Sequence, residues 1–340
     1  MQTKQISLKD YTTMRVGALA QLMVPETVHE LQELLVELKK TETSFYVLGG
    51  GSNTIASDRF GGVVIKLNLV GLTISEDGWV VAHASEAWDR VVRKASSLGL
   101  CGIEALASIP GTVGAAPVQN IGAYGQEVAE VIHSVTVIDT DNIERGEYEL
   151  KKSECDFSYR NSLFKKNSGR YVITKITMQL EPARERLTNF LHASCHQLLQ
   201  AYLKNNNITD LSPQTITAAV TEVRKICIPD PTILPNSGSF FKNPILNQQE
   251  FLTLQAKFPE IPNWPMPDDA VKVPAGWLLE QAGLKGHKTE CFGTFENNAV
   301  VIINHNNGNY EQLIAFRDQL NRMIMQKFGF QLEQEPFELT

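Results

Sequence analysis

The chain has 340 residues, 43% of them hydrophobic and 20% charged, with a formal net charge of −7. That length predicts two or three domains, and the composition supports a sizeable core. The acidic balance argues against a general nucleic-acid or membrane-surface binder, but a local basic pocket for an anionic small molecule remains open. The five cysteines, Cys101, Cys155, Cys195, Cys227 and Cys291, are scattered without a C-x-x-C pair. They read as thiols of a reducing compartment, not as a disulfide framework, and no metal site is expected. Met1–Gly17 lacks the apolar run of a signal peptide, and no stretch approaches the ~20 apolar residues of a membrane span, so a cytoplasmic location is expected.

In chain order, Pro25 is expected to open a helix with Val28, Leu31, Leu34, Leu35 and Leu38 as its apolar stripe. Phe45–Leu48 reads as a strand running into Gly49, Gly50, Gly51, Ser52 and Asn53. Val63–Leu67 and Trp79–Ala82 read as further strands. Glu86–Leu98 reads as a helix with Trp88, Val91, Val92, Ala95 and Leu98 inward and Gly99 as its stop. A glycine-rich stretch follows over Ile109–Gly125, and then strands at Val131–Ile138 and Tyr171–Leu180. Residues 183–212 are polar and read as a helical connector. Ser212-Pro213 is a good helix start, with Ile216, Ala219, Val220, Val223 and Ile226 on one face and a stop at Pro229-Asp230-Pro231. A last helix is expected over Tyr310–Phe328, with Leu313, Phe316, Leu320 and Met323 inward and Gly329 ending it.

Five segments could carry chemistry. In GGGSN (Gly49–Asn53), successive glycines let backbone N–H groups meet an anion with no Cβ in the way, and Ser52 and Asn53 add donors. It lacks the lysine of a phosphate-binding P-loop and the third glycine of G-x-G-x-x-G, so alone it reads equally as a tight turn. Ile109–Gly125 is rich in glycine and proline and carries no charged residue. Such a loop suits close backbone approach to a large planar cofactor and its pyrophosphate. In Phe157–Lys165, Arg160 stands among aromatics and could bind a phosphate or carboxylate bidentately. In Pro235–Pro244, Ser239 follows a glycine and precedes two phenylalanines without forming a hydrolase elbow. Glu335, near the C-terminus, reads as a surface carboxylate on local pattern.

Together and in this order, these segments resemble the MurB family, as do Thr12–Gly17, Pro229-Asp230-Pro231 and Ala275-Gly276-Trp277-Leu278-Leu279. The resemblance implies an α+β fold. A two-part FAD-binding domain of the vanillyl-alcohol-oxidase (PCMH) type would span residues 1–182, a connector 183–212, and an α+β substrate-binding domain 213–340. It implies non-covalent FAD reduced by NADPH, and a UDP-sugar nucleotide whose enolpyruvyl group becomes the lactyl ether of UDP-N-acetylmuramate. The flavin would be held by Gly49, Gly50, Gly51, Ser52, Asn53, Ile109, Pro110, Gly111, Thr112, Gly114, Ala115, Gln119, Asn120, Gly122, Ala123 and Tyr124. Arg160 and Glu335 would stabilise negative charge developing on the substrate carboxylate, and Ser239 would supply a proton. Arg224, Lys225 and Asn243 would contact substrate. His196, or alternatively Tyr202, would close over the nucleotide, as in the longer-loop subgroup. The chain departs from the family at Cys227, usually a lysine, and at Ala115 and Ala116, often serines.

Overall fold

The computed structural model describes residues 4–182 and 197–340. Cys195 and His196 lie outside the described residues. The chain divides into two compact units. The first comprises Met1–Ile6, Ala20–Gly50 and Gly61–Lys225, and the second Ser7–Leu19, Gly51–Phe60 and Ile226–Thr340. No helix among the described residues is long and apolar enough to cross a membrane.

The first unit holds a four-stranded sheet in the order Lys4–Ser7, Leu19–Met23, Val63–Ile65, Phe45–Val47. Val63–Ile65 runs parallel to both of its neighbours. The helix expected after Pro25 covers Val28–Lys40, and Thr27, not the proline, starts it by accepting a hydrogen bond from Glu30 N. Its stripe of Leu31, Leu34, Leu35 and Leu38 packs with Val63, Ile65, Ile138 and Val172 in one core. The same unit holds a five-stranded antiparallel sheet in the order Glu147–Lys151, Ile132–Asp139, Tyr171–Gln179, Trp79–His83, Leu72–Ile74.

The helix Trp88–Ser97 buries Trp88, Val91, Val92 and Ala95. Leu98, expected inward, is its exposed C-cap, because the chain turns out of the helix there, ahead of Gly99 at φ +74. The helix Pro213–Cys227 begins where the sequence placed it and buries Ile216, Ala219, Val220 and Val223. Ile226 is 57% exposed, since it lies in the last turn. The side chains of this helix join the first unit: Ser96 Oγ meets Thr217 Oγ1 at 2.8 Å, and Arg93 Nη2 donates to Thr221 Oγ1 at 3.3 Å. The packing division thus falls at Lys225/Ile226; the sequence reading has a connector over 183–212 and a C-terminal domain from 213.

The second unit is built around strands Asn236–Ser239, Val301–Asn304 and Phe292–Thr294, in that order. A core of Phe240, Phe241, Phe292, Val301, Leu313, Phe316 and Leu320 surrounds them. The helix Tyr310–Phe328 ends at Gly329, as expected, and buries Ile324; Met323 is only partly buried. Two early segments belong to this unit by packing. Met14, Val16 and Ile55 enter its core, and strand Thr54–Ala56 pairs in parallel with Phe337–Leu339.

Candidate active site

In the first unit, the strand Phe45–Val47 delivers Gly49 and Gly50 to the start of the long glycine-rich loop. A Cβ on Gly50 would lie 2.7 Å from Gly111 Cα, and one on Gly49 would lie 2.8 Å from Thr112 Oγ1. The two loops thus touch backbone to backbone, which any side chain at Gly50 would prevent. The backbone N–H groups of Gly49, Gly50, Gly111 and Thr112 donate to no acceptor among the described residues. Open backbone donors on two touching loops, beside the Thr112 hydroxyl, are the donor set that a dinucleotide pyrophosphate requires. These residues fit the phosphates of FAD.

The next part of the loop is tied down within the protein. Val113 N donates to Glu86 O at 2.9 Å, Gly114 N to Ala84 O at 2.9 Å, and Ala115 N to Thr112 O at 3.1 Å. Ala116 N likewise donates to Val113 O at 3.1 Å, so the backbone donors at positions 115 and 116 are used within the turn. Beside the first loop, Lys66 donates to Gly49 O at 3.1 Å, and burial lowers the pKa of its ammonium.

Three hydrogen bonds stitch the Phe157–Lys165 segment to the glycine-rich loop. Ser162 Oγ donates to Val118 O at 2.5 Å, Asn120 Nδ2 to Ser158 O at 3.2 Å, and Arg160 Nη2 to Gly122 O at 2.8 Å. Ser158 and Asn161 pair their backbones in a tight hairpin that holds Arg160 at φ +52. That left-handed conformation costs a non-glycine residue about 1–2 kcal/mol, so the fold pays to aim this side chain. Arg160 is thus fixed on the half-buried stretch containing Gln119, Gly122, Ala123 and Tyr124.

Asn120, expected to contact the cofactor, has its side chain engaged internally. Oδ1 accepts from Ala129 N at 3.0 Å, and Nδ2 also donates to Glu127 Oε2 at 2.6 Å. Its amide is a brace of the loop. Ser162 was not singled out in the sequence, although Ser162 followed by helix Leu163–Lys166 is a recognisable N-cap, accepting from Lys165 N at 3.2 Å.

Arg224 lies against the start of the same loop, its Nε donating to Ser108 O at 3.3 Å, while Ile109 and Pro110 follow directly. Lys225 is exposed and pairs with Glu222 at 2.6 Å on the surface of the helix. Two residues along a helix is a rotation of about 200°, so Lys225 does not present its charge from the face of Cys227. Tyr202 sits half-buried on the helix Gln197–Asn205; His196, the other candidate for closing over the nucleotide, lies outside the described residues.

In the second unit, Ser239 ends the strand Asn236–Ser239. The pairing Asn236↔Ile303 and Ser239↔Val301 leaves one extra residue between them, a β-bulge with Gly238 at φ +71. The bulge re-aims the side chain that follows it. Asn236 locks it, accepting from Gly238 N at 2.9 Å and donating to Pro229 O and Leu234 O at 2.9 Å. Glu335 N donates to Phe240 O at 2.9 Å, and Lys242 N donates to Glu333 O at 2.8 Å. Glu335 is therefore seated alongside the Ser239–Phe240 segment, and at 9% exposure it is buried, against the surface position that local pattern suggested.

Gly51, Ser52 and Asn53 belong to this second unit, not with Gly49 and Gly50, so the packing division runs through the motif. Asn53 O accepts from Phe337 N at 2.8 Å, and Asn53 Nδ2 donates to Glu335 O at 3.5 Å. Asn243 accepts from Ala275 N at 2.9 Å and so caps the start of the helix Ala275–Gln281.

Comparison with known proteins agrees with this arrangement. A family model described as an FAD binding domain matches residues 19–143, and one described as the UDP-N-acetylenolpyruvoylglucosamine reductase C-terminal domain matches 230–337. The chain is 35% identical to a UDP-N-acetylenolpyruvoylglucosamine reductase of Pseudomonas putida, over 98% of this chain and 97% of that one. It is 36% identical to one of Flavobacterium johnsoniae, over 97% of each. The crystal structure of a MurB from Thermus caldophilus shares the fold over the full length of both chains, with a TM-score of 0.68 at 24% identity. The expected α+β fold with a PCMH-type FAD-binding part is thereby borne out, and FAD is the cofactor. On these matches, the chain belongs to the UDP-N-acetylenolpyruvoylglucosamine reductase (MurB) family.

Proposed function

We propose that this chain reduces the enolpyruvyl group of UDP-N-acetyl-3-O-(1-carboxyvinyl)glucosamine to the lactyl ether of UDP-N-acetylmuramate. NADPH is the reductant, and the cytoplasmic steps of peptidoglycan synthesis are the setting. Bound FAD supplies the hydride chemistry. The chain's own residues must then manage charge and a proton. Hydride addition to the terminal alkene carbon leaves negative charge on the adjoining carbon and its carboxylate, and a proton must reach that carbon to complete the saturated product. Ser239 is the proposed donor. Glu335 and Arg160 are the proposed partners of the carboxylate. Arg224 and Asn243 are proposed to contact the substrate, together with Lys225 in a weaker, surface role.

The observation that carries this reading is the seating of Ser239 and Glu335. A serine on an ordinary strand is a poor acid, but Ser239 follows a glycine bulge and lies beside a segment whose buried Glu335 pairs through its backbone N–H with the adjacent Phe240. The test is Ser239→Ala, followed by anaerobic absorption spectroscopy. Addition of NADPH should bleach the flavin as in the wild type, while turnover of the enolpyruvyl substrate should fall by about 10²–10⁴, the usual worth of a positioned proton donor. Undiminished turnover would remove Ser239 from the role.

A further inference from the structure

The half-buried Lys66 stands outside every motif that led to the flavin site. Its ammonium donates to Gly49 O at 3.1 Å, and it has no carboxylate partner among the described residues. An ammonium taken partly out of water without a counter-charge is an expense that a fold retains only for a reason. The carbonyl it holds belongs to the Gly49–Gly50 peptide. That peptide is trans, so the carbonyl and the Gly50 N–H point in opposite directions. Holding the oxygen therefore fixes the direction of the N–H, and this N–H is one of the four open donors of the two touching loops. Glycine on both sides of a peptide leaves its plane otherwise free to rotate.

We infer that Lys66 is a positioning residue for the flavin's phosphates: it locks the Gly49–Gly50 peptide so that the Gly50 N–H faces the bound anion. A cation on the carbonyl also polarises the peptide, which strengthens the N–H as a donor to negative charge. Lys66 does not touch the cofactor in this arrangement; it acts through one peptide group. Its burial, which lowers the pKa of the ammonium, agrees with a site where anion binding offsets the cost of desolvation. This inference rests on the reading of Gly49, Gly50, Gly111 and Thr112 as the phosphate cradle.

The experiment is a fluorescence titration of FAD into the flavin-free full-length chain for wild type, Lys66→Met, Lys66→Arg and Gly50→Ala, with circular dichroism to establish folding. Lys66→Met keeps the stem but removes charge and donor, and should weaken FAD binding by about tenfold. Lys66→Arg keeps both and should stay within about threefold of wild type. The flavin-free Lys66→Met protein should melt at or above the wild-type temperature, because a desolvated charge has been removed. A merely structural lysine would instead lower that temperature and leave affinity unchanged. Wild-type affinity in Lys66→Met, alongside weakened binding in Gly50→Ala, would overturn the role of Lys66 and leave the cradle standing. Wild-type affinity in both variants would overturn the cradle and this inference with it.

Discussion

Replacing Asn120 with alanine separates a brace from a ligand contact. Asn120 is 1% exposed, and its amide oxygen takes the buried Ala129 N–H. Alanine would orphan that donor, at a cost of about 1–3 kcal/mol. It would also remove the amide's bonds to Glu127 and to the Ser158 carbonyl, which keeps Asn161 N as a donor, and put an alanine at φ +46, a left-handed conformation that asparagine tolerates and alanine resists by roughly 1–2 kcal/mol. The sum is about 3 kcal/mol, which for a unit of this size is a drop of roughly 6–12 °C in melting temperature. The assay is a thermal melt of the flavin-free protein followed by circular dichroism. Asn120→Asp is the control: it keeps the acceptor for Ala129 and the backbone tolerance but sets a second carboxylate against Glu127. It should be destabilised at neutral pH and recover as the pH falls and the pair takes up a proton. A flavin-free Asn120→Ala protein melting with the wild type, but binding FAD poorly, would refute the brace and restore Asn120 as a direct cofactor ligand.

Gly238→Ala tests the bulge before Ser239. A Cβ there meets nothing within 4 Å, so only the left-handed backbone is penalised, by about 1–2 kcal/mol in a urea melt; a loss above twice that would mean the position is crowded. Asp139 is held below the ordinary carboxylate range by the Arg170 guanidinium, which donates to Oδ1 at 3.1 Å and Oδ2 at 2.9 Å. A lowered carboxylate pKa gives stability that is present above the unfolded value and lost as pH falls through the folded one. Wild type should therefore exceed Asp139→Asn by about 1–2 kcal/mol at neutral pH, with the gap closing in acid; a gap that widens in acid would contradict the pairing. Burial pushes the Cys155 thiol up to about 12, so in the native protein it stays protonated and unreactive. Mass spectrometry after iodoacetamide at pH 8 should find it unmodified until the chain is unfolded; modification of the folded protein would refute this.

Much of this molecule was legible in its sequence because the signals are local. The leucine stripe of Val28–Lys40, the apolar face and stop of Tyr310–Phe328 and the glycine-rich run at Ile109–Gly125 depend on neighbouring residues alone, and periodicity or backbone freedom reports them directly. Their order along the chain also carried the family and, with it, the cofactor. What the tertiary structure alone decided concerns partners distant in sequence. Asn120 became a brace because Ala129 and Ser158 fold onto its amide; Glu335 became buried because its backbone pairs with Phe240; Lys66 acquired meaning because two parallel strands bring it beside Gly49. GGGSN reads as one motif, yet its residues pack in two units, because packing follows which core each side chain can reach and not the order in which residues are joined.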